Sequence, residues 1–96
     1  VTIDNTPPQV TIPYPLEGQV FSGVSQRAIT LQAEALDETG LDHVEWWVDG
    51  RKLGERKEKP YAWVWDAAPG KHTLQIRAVD LAGNETAAEE IIFEVQ

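Results

Sequence analysis

Residues 28–50 read AITLQAEALDETGLDHVEWWVDG, and this stretch decides the fold. From Ala28 to Leu36 the apolar residues take every second position. Ile29, Leu31, Ala33 and Ala35 share one face; Thr30, Gln32 and Glu34 share the other. Only an extended chain turns successive side chains to opposite faces, so the run is a strand with one buried face. Asp37-Glu38-Thr39-Gly40 breaks the alternation with turn formers. It resumes from Leu41 to Val48, with Val44, Trp46 and Val48 inward and His43, Glu45 and Trp47 outward. Asp49-Gly50 follows at once. A type I′ hairpin turn needs positive φ at both central residues, which Asp-Gly tolerates. Arg51 to Gly54 is then the returning partner strand.

On either side the same punctuation continues. Tyr61 to Trp65 alternates, with Tyr61, Trp63 and Trp65 on one face. His72 to Asp80 follows a Pro-Gly turn and puts Leu74, Ile76 and Ala78 inward. After Ala82-Gly83-Asn84 a last strand, about Ala88 to Val95, aligns Ile91, Phe93 and Val95. Upstream, Val10 to Ile12 and Gln19 to Phe21 are short strands bounded by prolines, which suits a sheet edge. About seven short strands with a turn every 8–12 residues is the pattern of an all-β antiparallel sandwich. Val10, Ile29, Leu31, Val44, Trp46, Val48, Tyr61, Trp63, Leu74, Ile76, Ala78, Ile91, Phe93 and Val95 are expected in its core. Trp46 is expected to pin the two sheets together, and Trp47 to stand substantially exposed. The Asp49-Gly50 turn is expected to be tight and Gly18 to sit in a looser loop.

Ninety-six residues make one domain. Eight basic and sixteen acidic residues give a net charge of −8, which argues against a polyanion partner such as nucleic acid. Without cysteine there is no disulfide, thiolate metal site or cysteine nucleophile. No apolar run reaches the length that spans a bilayer as a helix. No basic-then-apolar leader opens the chain, which starts at Val1 and lacks methionine. It reads as a module of a longer protein, with residues 1–8 as an interdomain linker and 9–96 as the folded unit. An isolated module of this kind is expected to be monomeric.

Several short motifs together resemble a known family. Asp4-Asn5-Thr6-Pro7-Pro8, Pro15-Leu16-Glu17-Gly18 and Phe21-Ser22-Gly23 are similar to the opening of bacterial immunoglobulin-like (Big-type) domains. So are LDHVEWWVDG from Leu41 to Gly50, Leu53-Gly54, Pro60-Tyr61, Trp65-Asp66 and Gly70 to Leu74. Ala78-Val79-Asp80-Leu81-Ala82-Gly83-Asn84 resembles the family's closing hairpin. The resemblance runs from about Asp4 to Val95. It implies an immunoglobulin-like β-sandwich, repeated as beads in secreted or surface-anchored bacterial proteins beside polysaccharide-degrading, adhesive or cell-wall domains. The family has no shared catalytic residues, so none is carried over, and no cofactor is expected here.

Candidate chemistry is sparse. Ser22, Ser25, His43 and His72 offer no strand-to-helix elbow for a serine nucleophile. A zinc site built on the two histidines, with no cysteine, needs two further carboxylates converging on them. Strand alternation brings Asp4, Asp37, Asp80 and Asn84 to one pole, where they could offer oxygens to calcium. The plainer reading is turn chemistry, because Asp and Asn bond their own local backbone. Arg51, Lys52, Arg56, Lys57 and Lys59 face only Glu55 and Glu58, a basic stretch in an acidic chain. Such a stretch could meet an anionic polymer, but cations also blunt exposed sheet edges. Trp47, with His43 and Glu45, is the candidate ligand-binding face, since an exposed indole stacks on sugar rings. Its plainer role is to cover its own sheet. The resemblance thus implies a non-catalytic spacer or scaffold module of an extracytoplasmic bacterial protein. The alternative is a carbohydrate- or cell-wall-binding module.

Overall fold

The computed structural model describes residues 7–22, 28–37 and 40–96, and within them the chain is all β-strand and turn. In chain order the strands are β1 (Gln9–Tyr14), β2 (Val20–Phe21), β3 (Ala28–Leu36), β4 (Leu41–Val48), β5 (Arg51–Arg56), β6 (Ala62–Asp66), β7 (Gly70–Asp80), β8 (Glu85–Ala87) and β9 (Ile91–Val95). They form two sheets, β1-β3-β6 and β2-β9-β7-β4-β5, with β8 paired to β7. Pairing is antiparallel except between β2 and β9, which run parallel.

The strongest alternation gives the cleanest element. β3 alternates buried and exposed over its whole length, and β4 buries Val44, Trp46 and Val48. Facing residues from β7 and β9, Leu74, Ile76, Ala78, Ile91, Phe93 and Val95, complete the core. Burying each of the larger of these side chains contributes about 1.5–3 kcal/mol. Trp46 is fully buried, its ring 6.0 Å from that of Trp63, and its Nε1–H donates to the Leu31 carbonyl of the opposite sheet at 2.9 Å. One side chain thus joins the sheets by packing and by a hydrogen bond. With no cysteine in the chain, no disulfide shares that role.

Four expectations change. Val10, Tyr61 and Trp63 pack against the core but are only partly buried, because they lie toward its rim. Phe21 and Ala88 are fully part of it. The last strand is interrupted: Glu85–Ala87 pairs with β7, the Ala88 amide bonds the Ile76 carbonyl at 2.8 Å, and pairing resumes at Ile91 opposite Leu74. Glu89 and Glu90, both exposed, loop out where two charges have no place on a paired edge. Finally, Asp49 and Gly50 have φ of 53° and 79°, the tight turn expected, but Gly18 has φ of 77° as well. A side chain at either glycine is strained, so Gly18 is not the permissive loop position that the sequence suggested.

The return strand holds a bulge. Val48 faces Arg51 and Trp47 faces Lys52, but Trp46 faces Gly54, so Leu53 is the extra residue. Gly54 has no room for a side chain, since an added Cβ would meet the Trp63 ring at 2.8 Å or closer. The glycine lets that ring approach the hairpin backbone closely.

Candidate functional site

The bulge at Leu53 sets the chemistry of the outer face of β4. A two-residue turn with no bulge would bring residue 54 opposite Glu45. One inserted residue moves the register by one, and Glu55 faces Glu45 instead. Like charges directly across a sheet destabilise it, and here cations lie between them. Lys52 Nζ is 2.8 Å from Glu55 Oε1 and 3.6 Å from Glu45 Oε2. His43, two residues from Glu45 and so on the same face, places Nε2 at 2.8 Å from Glu45 Oε2. Its Nδ1 is 2.7 Å from Asp42 Oδ2.

Trp47 closes the row. Its Nε1–H donates to Glu45 Oε1 at 3.0 Å, and the Arg77 guanidinium lies 4.5 Å from its ring centroid. Trp47 is therefore half-buried, not substantially exposed: a cation from neighbouring β7 covers a ring face. The structure brings the three sequence candidates Trp47, His43 and Glu45 into one hydrogen-bonded line. It adds Asp42, Lys52, Glu55 and Arg77, which pattern reading did not assign to this face.

The electrostatics follow the contacts. Burial works to lower the pKa of His43, but the hydrogen bonds to Asp42 and Glu45 and the charges of Glu55 and Glu45 outweigh it, so the imidazole is held above its ordinary value. Burial likewise works to raise that of Glu45, and the His43 and Trp47 hydrogen bonds with the Lys52 and His43 charges reverse it, holding the carboxyl low. The Lys52 hydrogen bond, foremost, holds Glu55 low. Donor atoms of His43, Glu45 and Glu55 all lie within 4.8 Å of one another.

The second cluster is at the pole where β3 ends and β7 turns. Asp80 is buried. Its Oδ1 accepts the Asn84 backbone N–H at 2.7 Å and its Oδ2 the Asn84 side-chain amide at 2.9 Å. Burial opposes the charge, but these bonds, the Ala82 N–H and the Asp37 side chain outweigh it and hold the carboxyl low. The Leu81 amide bonds the Gly40 carbonyl at 3.1 Å, tying the two loops together. Asp37, Asp80 and Asn84 thus share the pole, as the alternation implies; Asp4 lies outside the described residues. Both Asp80 oxygens already accept bonds that shape the β7–β8 turn. Of the catalytic candidates, Ser25 is also outside the described residues. His72 packs against Trp65 and Phe93, with one ring nitrogen 2.7 Å from Asp49 Oδ2 and the other 2.7 Å from the Ala68 carbonyl.

Comparison with known proteins settles the family. A family model described as a bacterial Ig domain matches residues 8–76. The chain belongs to the bacterial Ig domain family. The uncharacterized protein YvnB of Bacillus subtilis (strain 168) is 36% identical to this bacterial Ig domain over 93 residues, covering 95% of the chain but 6% of YvnB. The chain therefore spans a small fraction of that relative's length. Among solved structures, the fibronectin(III)-like modules of Clostridium thermocellum CbhA match with a TM-score of 0.82 at 24% identity, over 91% of this chain and 94% of that one. At that identity the likeness speaks for the bacterial Ig domain's fold alone.

Proposed function

We propose that the chain is a non-catalytic spacer or scaffold module of a larger extracytoplasmic bacterial protein, with residues 1–8 as the linker to a preceding domain. The observation that carries this reading is the path of the chain. Gln9 pairs with Leu36 at the end of β3, beside the pole where Leu41 pairs with Asp80. Val95 pairs with Gly70 at the other end of β7. The chain thus enters at one pole and leaves at the opposite one, separated by the 11 residues of β7, or about 35 Å at ~3.3 Å per residue. Such a bead adds length to a polypeptide without turning it back. Pro7 and Pro8 stiffen the entry, because each fixes φ and restricts the residue before it. The small share of YvnB that the chain covers fits one module among many. The absence of cysteine and methionine suits an oxidising exterior.

The polar clusters support the same reading, since their side chains are engaged with one another and not splayed toward a substrate. The Trp47 ring, half-covered by Arg77, is a weaker sugar platform than the sequence suggests. A depletion assay against insoluble peptidoglycan, cellulose, chitin and starch tests the proposal. A spacer stays in the supernatant with all four. Retention on one polymer, lost in Trp47→Ala, would replace the spacer reading with that of a binding module.

A further inference from the structure

We propose that His43, Glu45 and Glu55 form a binding site for a first-row divalent transition cation, with zinc as the reference ion. The three donors come from paired strands of one hairpin, and their atoms lie within 4.8 Å of one another. Zinc holds nitrogen and oxygen ligands at ~2.0–2.2 Å, so small side-chain rotations close this set around one ion. Three protein ligands leave a position for water.

The surroundings favour a metal over a casual cluster. Asp42 accepts from His43 Nδ1 at 2.7 Å, so the nitrogen facing the carboxylates is Nε2. A carboxylate on the far ring nitrogen is the usual outer partner of a metal-bound histidine, where it fixes the tautomer and the ring. Trp47 Nε1–H does the same for Glu45 by holding its other oxygen at 3.0 Å. The site already attracts a cation, because the Lys52 ammonium sits against both glutamates. Lys52 is a competing cation, more than a third exposed, that an ion can displace. The imidazole selects the metal class. Hard calcium and magnesium take oxygen ligands, whereas imidazole suits zinc, copper and nickel. An ion here would staple β4 to β5 across the Leu53 bulge.

Calorimetric titration of the intact chain with zinc chloride above neutral pH is the test, alongside the imidazole resonances of the two histidines. The expected result is one equivalent bound, with the His43 resonances shifting and those of His72 unmoved, since both His72 nitrogens are engaged elsewhere. His43→Gln abolishes binding. Asp42→Asn weakens it by roughly 10-fold, the effect of losing an outer partner. Lys52→Met tightens it. Calcium at the same concentration leaves His43 unmoved. No zinc uptake by the wild type, or equal uptake by wild type and His43→Gln, would overturn the proposal. The resonance shifts need no substitution, so a variant that misfolds does not rescue it.

Discussion

Trp46 joins the sheets in two ways, and substitutions separate them. Trp46→Ala removes both ring and donor and should destabilise by about 3–5 kcal/mol, as for a large core aromatic. Trp46→Phe keeps most of the volume but leaves the Leu31 carbonyl without the indole donor, and should cost about 1–3 kcal/mol. Chemical denaturation of both variants checks this: a Trp46→Phe as stable as wild type would mean the hydrogen bond contributes nothing of its own, and equal losses would mean the ring packing does not. Gly54 is the reverse case, a residue whose value is its missing side chain. Gly54→Ala pushes a methyl into the Trp63 ring and should destabilise by about 1–3 kcal/mol, as overpacking does. Trp63→Leu in the same background should recover part of that loss. Sequence pattern showed Trp46, because it alternates with Val44 and Val48. It gave no hint of the need for glycine at 54, because that need arises from a ring 9 positions away in the opposite sheet.

The β4–β5 hairpin turn is tied down by more than its backbone. Asp49 accepts the Thr73 N–H at 2.9 Å on one oxygen and lies 2.7 Å from His72 Nδ1 on the other, so the turn is fastened to β7. Burial would raise the Asp49 pKa, but the His72 bond, the Thr73 amide and the His72 charge hold it below its ordinary value. A carboxyl depressed in the folded state adds stability that is complete above its unfolded pKa and is lost as pH falls through the folded one. Asn tolerates the positive φ at this position, so Asp49→Asn removes the charge and keeps the turn. The variant should melt lower than wild type at neutral pH, with the gap closing below about pH 4, where the unfolded carboxyl protonates. A gap that stays constant through acid titration would show that Asp49 acts through geometry alone. At this scale the alternating strands β3 and β4 were legible to their end residues, and so was the Asp-Gly turn. The Leu53 bulge was not, since nothing in Arg51 to Arg56 alternates clearly enough to mark an inserted residue. Glu55 was therefore not placed beside Glu45, and the cluster on β4 was seen only in part. The cover over Trp47 was missed for a related reason: Arg77 reaches it from β7, at a diagonal that depends on the β4–β7 register.

For the whole molecule, the two-sheet sandwich and its acidic pole follow from strand count and alternation, because antiparallel strands put every second loop at one end. The family match and the structural neighbour agree with the sandwich. What the module does in its parent rests on where the chain enters and leaves. A cysteine-free chain allows two unique spin labels, at Gln9→Cys and Gln96→Cys. Their separation by pulsed electron resonance is the most direct measurement. A narrow distribution centred at about 35 Å is expected, the span of β7 at ~3.3 Å per residue. A distance below about half that span would place both ends at one pole and contradict a module that extends its chain.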